Sequence, residues 1–183
     1  MIEDLDVIYG DKPDVKESDA DRIDGYDARG RLITGPHDHD WITRRIAIGS
    51  ALYREHDVRS ILGAGVTHVL DCQSVDSEKL YAGAPIQYMH CPTDDDGAHK
   101  DGRWFMRGVV FGVEVLRAHP DHKLLVHCAA GVNRSAGMTY AILRARGLSA
   151  EKARHAIKSN RRICRDTYFA DADRFIAAEW RHG

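Results

Sequence analysis

Five residues separate Cys128 from Arg134 in the run Val126-His127-Cys128-Ala129-Ala130-Gly131-Val132-Asn133-Arg134-Ser135. The pair alone is weak evidence, because 4 cysteines and 19 arginines in 183 residues supply about 0.4 such spacings by chance. Requiring also His before the cysteine, Gly three places after it and Ser after the arginine lowers that to roughly one in ten thousand. The spacing has a chemical use. Five residues can curl into a semicircle whose backbone N–H groups point inward, and a following helix adds the positive end of its dipole, which together make an anion cradle. Gly131 lets such a loop turn sharply, and Arg134 can fork onto two phosphoryl oxygens. The field that binds a phosphate also favours a thiolate at Cys128, the form that acts as a nucleophile.

A loop of this kind needs a strand before it and a helix after it. Lys123-Leu124-Leu125-Val126-His127 is the most apolar strand candidate, a continuous run that fits a sheet covered on both faces. Ser135–Arg146, Ala150–Asn160 and Thr167–Arg181 read as helices beyond it. Upstream, strands are expected at 45–48, 67–72 and 86–91. Between them a helix runs through Val58, Ile61 and Leu62, a second helix lies near 77–82, and a long helix covers 103–119. In that long helix Phe105, Val109, Val113 and Leu116 share one face, a core stripe. Strands alternating with helices imply an α/β fold: a central, mostly parallel sheet of four to five strands, helices on both faces, and ligands at the carboxyl ends of the strands.

Composition narrows the class. At 183 residues, 43% hydrophobic and 30% charged, the chain is sized and balanced for one globular domain, and no apolar run reaches the roughly 20 residues that span a bilayer. The acidic start Met1-Ile2-Glu3-Asp4-Leu5-Asp6 is unlike a secretory signal, so a cytoplasmic protein with no membrane partner is expected. Four cysteines without a Cys-x-x-Cys pair give no support to a zinc ribbon. The net charge of −2 is uneven: residues 1–40 carry 12 acidic against 5 basic side chains, and from Lys123 onward there are 12 basic against 5 acidic. A basic carboxyl-terminal half suits an anionic ligand. The division expected is an acidic amino-terminal extension over 1–40, with a small hairpin near 28–31, followed by a catalytic domain over 41–183.

From Trp41 onward the chain resembles the cysteine-dependent protein phosphatases, whose signature is His-Cys, five residues, then Arg-Ser/Thr. Within them it is most similar to the compact dual-specificity branch. Besides the signature loop, the resemblance rests on Trp41-Ile42-Thr43, Ile46-Ala47-Ile48-Gly49-Ser50, Gly65-Val66-Thr67-His68-Val69-Leu70 and Ile157-Lys158-Ser159-Asn160-Arg161. It implies hydrolysis of phosphotyrosine, and of phosphoserine or phosphothreonine, in a phosphorylated protein substrate through a phosphocysteine intermediate, without metal or cofactor. Cys128 would be the nucleophile. Ala129, Ala130, Gly131, Val132 and Asn133 would bind phosphate together with Arg134, His127 would orient the loop, and Ser135 would assist departure of the thiolate. The family also carries a general acid about thirty residues upstream. Cys91-Pro92-Thr93-Asp94-Asp95-Asp96-Gly97 lies at that distance, and related sequences place the acid three residues after the proline, which selects Asp95 over Asp94 and Asp96. Cys72 resembles a second cysteine that in some relatives forms a reversible disulfide with the nucleophile; as a residue by itself it reads first as a small buried side chain.

Other readings follow from particular residues. Asn133 stands where this branch usually has Ser or Gly and resembles the loop of RNA 5′-triphosphatases, so an RNA or polyphosphate substrate, with nucleic acid as partner, is the alternative. Ala129-Ala130 departs from the Thr-His of those enzymes. Phosphoinositide phosphatases place lysines in the loop, and this loop has none, although Arg161, Arg162 and Arg165 lie nearby. A catalytically inactive phosphate-binding module would normally lack the cysteine or the acid. A rhodanese-type sulfur-transfer fold fits neither the upstream acid nor Arg134-Ser135. His37-Asp38-His39-Asp40 contains metal-ligand residue types but reads as a solvated loop before the first strand.

Overall fold

A computed structural model describes residues 36–180. The hairpin expected near 28–31 lies outside the described residues. Eleven elements follow one another: β1 (His39–Trp41), β2 (Ile46–Gly49), α1 (Glu55–Gly63), β3 (His68–Asp71), a 3-10 turn (Glu78–Tyr81), β4 (Gln87–His90), α2 (Gly102–Ala118), β5 (Leu124–His127), α3 (Arg134–Ala145), α4 (Ala150–Asn160) and α5 (Phe169–Ala178). The sheet order is β1-β2-β5-β3-β4. β1 runs antiparallel to β2, and the other four strands are parallel. The expected α/β sheet is therefore present with five strands, and the helical segment expected at 77–82 is a single 3-10 turn.

Successive side chains of β2, β3 and β5 alternate between two cores. Ile46, Ile48, Leu70, Leu124 and Val126 pack under α2, α3, α4 and α5. Ala47, Val69 and Leu125 face Val58 and Ile61 of α1 and Tyr81 of the 3-10 turn. This two-sided cover explains why β5 reads as unbroken apolar sequence. Parallel register brings Gly49, His127, Asp71 and His90 level at the carboxyl ends of their strands. The loops leaving those ends form the candidate site.

α3 lies at the centre of the helical layer, with eleven of its twelve residues buried, Arg144 being the exception. Its contact with α2 depends on two glycines. A Cβ at Gly108 would stand 2.4 Å from Met138 Sδ, and one at Gly112 would stand 2.6 Å from Ile142 Cδ1. Asp101 caps α2 by accepting from the Trp104 amide, and Ser149 caps α4 by accepting from that of Lys152. At the other end of α2, Arg45 donates to the carbonyls of Leu116, His119 and His122.

The His37-Asp38-His39-Asp40 segment also departs from the expected local structure. It is not a solvated loop: its last two residues open the edge strand β1, and His37 and Asp38 lead into it. His37 is buried, and the alternation places the rings of His37, His39 and Trp41 in one row, with His37 stacked on His39 and His39 edge-on to Trp41. Period-two spacing sends Asp38 and Asp40 to the opposite face. Among the described residues no group of three or more His, Cys, Asp or Glu is arranged to hold a metal. No helix among them is long and apolar enough to cross a membrane.

Leu124 is fully buried in the central strand, beside Gly112. Truncation to alanine deletes packing that the two helices cannot follow inward. Leu124→Ala is expected to lower unfolding free energy by about 2–5 kcal/mol, read by denaturant titration.

Candidate active site

Residues 128–133 join β5 to α3, and their backbone direction is set from outside. The carbonyl of Ala129 accepts from the Ala51 amide at 3.1 Å, and that of Val132 accepts from the Arg165 amide at 3.0 Å. The Gly131 carbonyl accepts from Arg161 Nε at 2.9 Å and from the Cys164 thiol at 3.6 Å, and Ala130 accepts from Arg161 Nη2 at 3.4 Å. Four consecutive carbonyls are thus pulled outward. None of the amides of residues 129–133 has a backbone carbonyl partner among the described residues, so these donors are left for an anion inside the ring. Gly131 adopts φ +67°, and a Cβ there would come within 2.6 Å of the Gly49 carbonyl oxygen and 2.8 Å of Arg161 Nη2. Only glycine fits this turn.

Cys128 sits at the bottom of the ring, 1% exposed, with Ser135 Oγ 3.3 Å from its sulfur. Burial raises its pKa, but hydrogen bonds from the Ser135 hydroxyl and the amides of Ser135 and Val132, with the nearby Arg134 guanidinium, outweigh it and hold the thiol below its ordinary value. The other three cysteines move the opposite way. Burial pushes Cys91 up to about 11 and Cys164 up to about 12, and it also raises Cys72 well above its ordinary value. Cys72 directly follows β3 beside the loop, with its amide bonded to the His127 carbonyl at 2.8 Å. It is a buried free thiol.

Arg134 opens α3 and is 6% exposed. Its Nη1 donates to the carbonyls of Thr93 at 3.0 Å and Cys72 at 3.3 Å and meets Ser74 Oγ at 3.5 Å. Nε is sealed from solvent without a hydrogen-bond partner. One edge of the guanidinium is therefore anchored to the loops after β3 and β4, and Nε keeps a donor with no hydrogen-bond acceptor, of the kind that can take an oxyanion.

The three aspartates after Pro92 separate cleanly. Asp94 accepts from Ser74 Oγ at 3.2 Å. Asp96 is taken by Lys100 Nζ at 2.5 Å, whose hydrogen bond holds its carboxyl below the usual range. Asp95 alone faces the phosphate loop: its Oδ2 is 3.6 Å from Arg134 Nε and 3.4 Å from Asn133 Nδ2, and its Oδ1 accepts from Tyr168 OH at 3.1 Å. Tyr168 also accepts from the Gly97 amide, and burial raises its pKa to about 12, so it stays a donor. Asn133 Oδ1 in turn accepts from Thr167 Oγ1. Under the loop, His127 is fully buried, with Nε2 3.4 Å from Tyr81 OH and 3.7 Å from Asp71 Oδ1, and burial keeps it below its ordinary pKa despite Asp71. Asp71 is itself held by the Gln73 amide, Ser77 Oγ and Tyr88 OH.

The structure thus gathers Cys128, the loop, Arg134, Ser135 and Asp95 around one opening. It adds Tyr168 and Thr167, which hold Asp95 and Asn133, and the Thr93 carbonyl, which anchors Arg134. No local spacing marks these three; their partners lie on segments far away in the chain.

A thiolate at the base of such a ring, on the carboxyl edge of a parallel sheet with an arginine opening the next helix, defines the cysteine-dependent phosphatase class. Residues 52–171 match the family "Dual specificity phosphatase, catalytic domain", and the chain belongs to it. Human dual specificity protein phosphatase 13B is 27% identical over 136 residues, covering 71% of this chain and 68% of that protein. Rat dual specificity protein phosphatase 26 is 33% identical over 88 residues, covering 46% of this chain and 41% of that protein. Among solved structures, human DUSP28 superposes with a TM-score of 0.66 at 22% identity, over 79% of this chain and 96% of that one. PTPMT1 in complex with PI(5)P gives 0.65 at 21% identity, over 75% and 93%. At these identities the two structures speak for the fold.

The Ser135 hydroxyl should be felt at the sulfur. A hydrogen bond to a charged group is worth about 1.5–3 kcal/mol. Ser135→Ala is therefore expected to raise the Cys128 pKa, leave less thiolate at any pH below it, and slow iodoacetamide alkylation at pH 7 by about tenfold. The pH dependence of alkylation checks this.

Proposed function

We propose that the protein hydrolyses phosphotyrosine, and phosphoserine or phosphothreonine, in protein substrates through a phosphocysteine intermediate. The observation that carries the reading is the meeting of a depressed thiol, an arginine whose Nε has no hydrogen-bond acceptor and a carboxylate at one opening. In the first step the Cys128 thiolate attacks phosphorus in line, the phosphorus–oxygen bond to the alcohol or phenol breaks, and Asp95 gives its proton to the departing oxygen. The inward amides and Arg134 take the charge that collects on the three equatorial oxygens. In the second step Asp95, now a carboxylate, takes a proton from water as it attacks phosphorus. The sulfur leaves as a thiolate steadied by Ser135 Oγ.

Two features favour a protein substrate over the alternatives. Loop positions 129–133 offer no cationic side chain for further phosphates, and Asn133 is committed to Asp95 and Thr167. Three of the four exposed large apolar side chains among the described residues, Tyr53, Val75 and Ile163, lie within two residues of Ala51, Ser74 and Cys164, which bond the loop or Arg134. A polypeptide carrying apolar neighbours beside its phosphorylated residue complements such a rim. PTPMT1 was crystallised with PI(5)P, and the exposed Arg162 and Arg165 make a phosphoinositide the reading to test against.

The wild-type protein, Cys128→Ser and Asp95→Asn would be assayed on nitrophenyl phosphate, phosphotyrosine and phosphothreonine peptides, phosphoinositide micelles and triphosphate-ended RNA. Wild type is expected to turn over the aryl phosphate and the peptides, and Cys128→Ser neither. Asp95→Asn is expected to lose about 10²–10⁴ in kcat on peptides and less on nitrophenyl phosphate, whose leaving group needs no proton. Turnover of the lipid or RNA with inert peptides would replace the protein reading, and an active Cys128→Ser would remove the mechanism.

A further inference from the structure

Arg161 ends α4 yet is only 2% exposed, and its guanidinium lies directly behind the phosphate loop. All five of its N–H donors are used. Nε reaches Gly131 O at 2.9 Å, and Nη2 reaches Ala130 O at 3.4 Å and Asp38 Oδ2 at 2.8 Å. Nη1 reaches Asp38 Oδ1 at 3.0 Å and Asp40 Oδ2 at 2.9 Å. The two carboxylates come from the edge strand and the residue just before it, more than a hundred residues earlier. Asp38 is fixed there because its own carbonyl accepts from the Ser50 amide at 2.9 Å, just past the end of β2.

We propose that Asp38 and Asp40 are positioning residues for catalysis: through Arg161 they hold the Ala130 and Gly131 carbonyls outward and so keep the loop amides aimed at phosphate. This rests on the phosphatase reading of the loop. The physical case has two parts. A buried guanidinium deprived of its carboxylates is an uncompensated cation, which is strongly unfavourable, so it shifts toward water or another anion. Once it shifts, two of the four outward carbonyls lose donors, and a carbonyl freed behind a ring of converging amides is drawn to turn inward, where it opposes an anion. The strand thereby serves the site without touching substrate.

A positioning role and a purely electrostatic one predict opposite signs. Two carboxylates against one guanidinium leave a net negative charge behind the ring, which by field alone disfavours the thiolate and the bound phosphate. If field were all, removing the carboxylates would lower the Cys128 pKa and tighten oxyanion binding. Misalignment of the amides does the reverse.

The test uses the full chain carrying Asp38→Asn with Asp40→Asn, Asp40→Asn alone, and Asp40→Glu. Each variant is followed by thermal unfolding, iodoacetamide alkylation against pH, tungstate inhibition, and kcat and KM on nitrophenyl phosphate. The double variant is expected to alkylate about tenfold more slowly at pH 7 and to lose about 10²-fold in kcat/KM, the scale of a site misaligned by an ångström, with weaker tungstate inhibition. Asp40→Asn should lie between it and wild type, and Asp40→Glu should recover most of the loss. Faster alkylation with tighter tungstate overturns the proposal in favour of a field effect. A folded double variant with a lowered melting temperature but unchanged alkylation, tungstate inhibition and kcat/KM overturns it in favour of a structural role. If the double variant does not fold, the same readings on Asp40→Asn decide. A wild-type protein that fails to hydrolyse nitrophenyl phosphate overturns the functional reading instead, while alkylation still reports on the positioning.

Discussion

Backbone amides that converge on one point repel one another until an anion arrives, so the chain around them must hold the ring open in its absence. In this protein that work falls on the outward carbonyls. Ala51, Arg161, Cys164 and Arg165 each supply a donor to one or more of residues 129–132, and they come from the loops after β2 and α4. The ring also needs rigid ends. β5 supplies one, with every residue buried, and the fully enclosed first turn of α3 supplies the other. The sheet order that places β5 between β2 and β3 is therefore a condition of the site, because it brings the β2 and β3 exits to both flanks of the loop.

The same geometry sets one cysteine apart from the other three. All four thiols are buried, and burial alone would raise them all. Cys128 differs in that amides and a hydroxyl point at its sulfur, so the hydrogen bonds that would receive a phosphate first stabilise a thiolate. Cys72, just past the level end of the neighbouring strand, has no such donors and stays protonated. Position in the ring, more than exposure, separates a nucleophile from a packing residue.

What could be read from the sequence follows the range of the interactions. The parallel strands and α2 were legible because burial on both faces, or on one stripe, writes itself into local apolar periodicity. The Cys128-to-Arg134 loop was legible because its ligands are consecutive. The entry to β1 was not: the alternating His37-Asp38-His39-Asp40 looks solvated until its carboxylates are seen to meet Arg161, 121 and 123 residues later. α3 gives a weak amphipathic signal for the opposite reason, since nearly every side is covered. Resemblance singled out Asp95 among three adjacent aspartates, whereas the reason it faces the loop, with its neighbours held by Ser74 and Lys100, is tertiary.

Asn133 ties these strands of argument together. By residue type it suggested a different substrate, because the loop position before the arginine is usually smaller in this branch. In the folded chain its amide spans from Thr167 to Asp95 and so links the ring to the loop that carries Asp95. Tyr168, one residue beyond Thr167, grips the same carboxylate from the other side and bonds the Gly97 amide as well. A carboxylate on a loop is placed by whatever frame holds it. Here the segment entering α5 and the phosphate ring share that task, so the position of Asp95 relative to Cys128 is set by tertiary contacts and not by residues 92–97 alone.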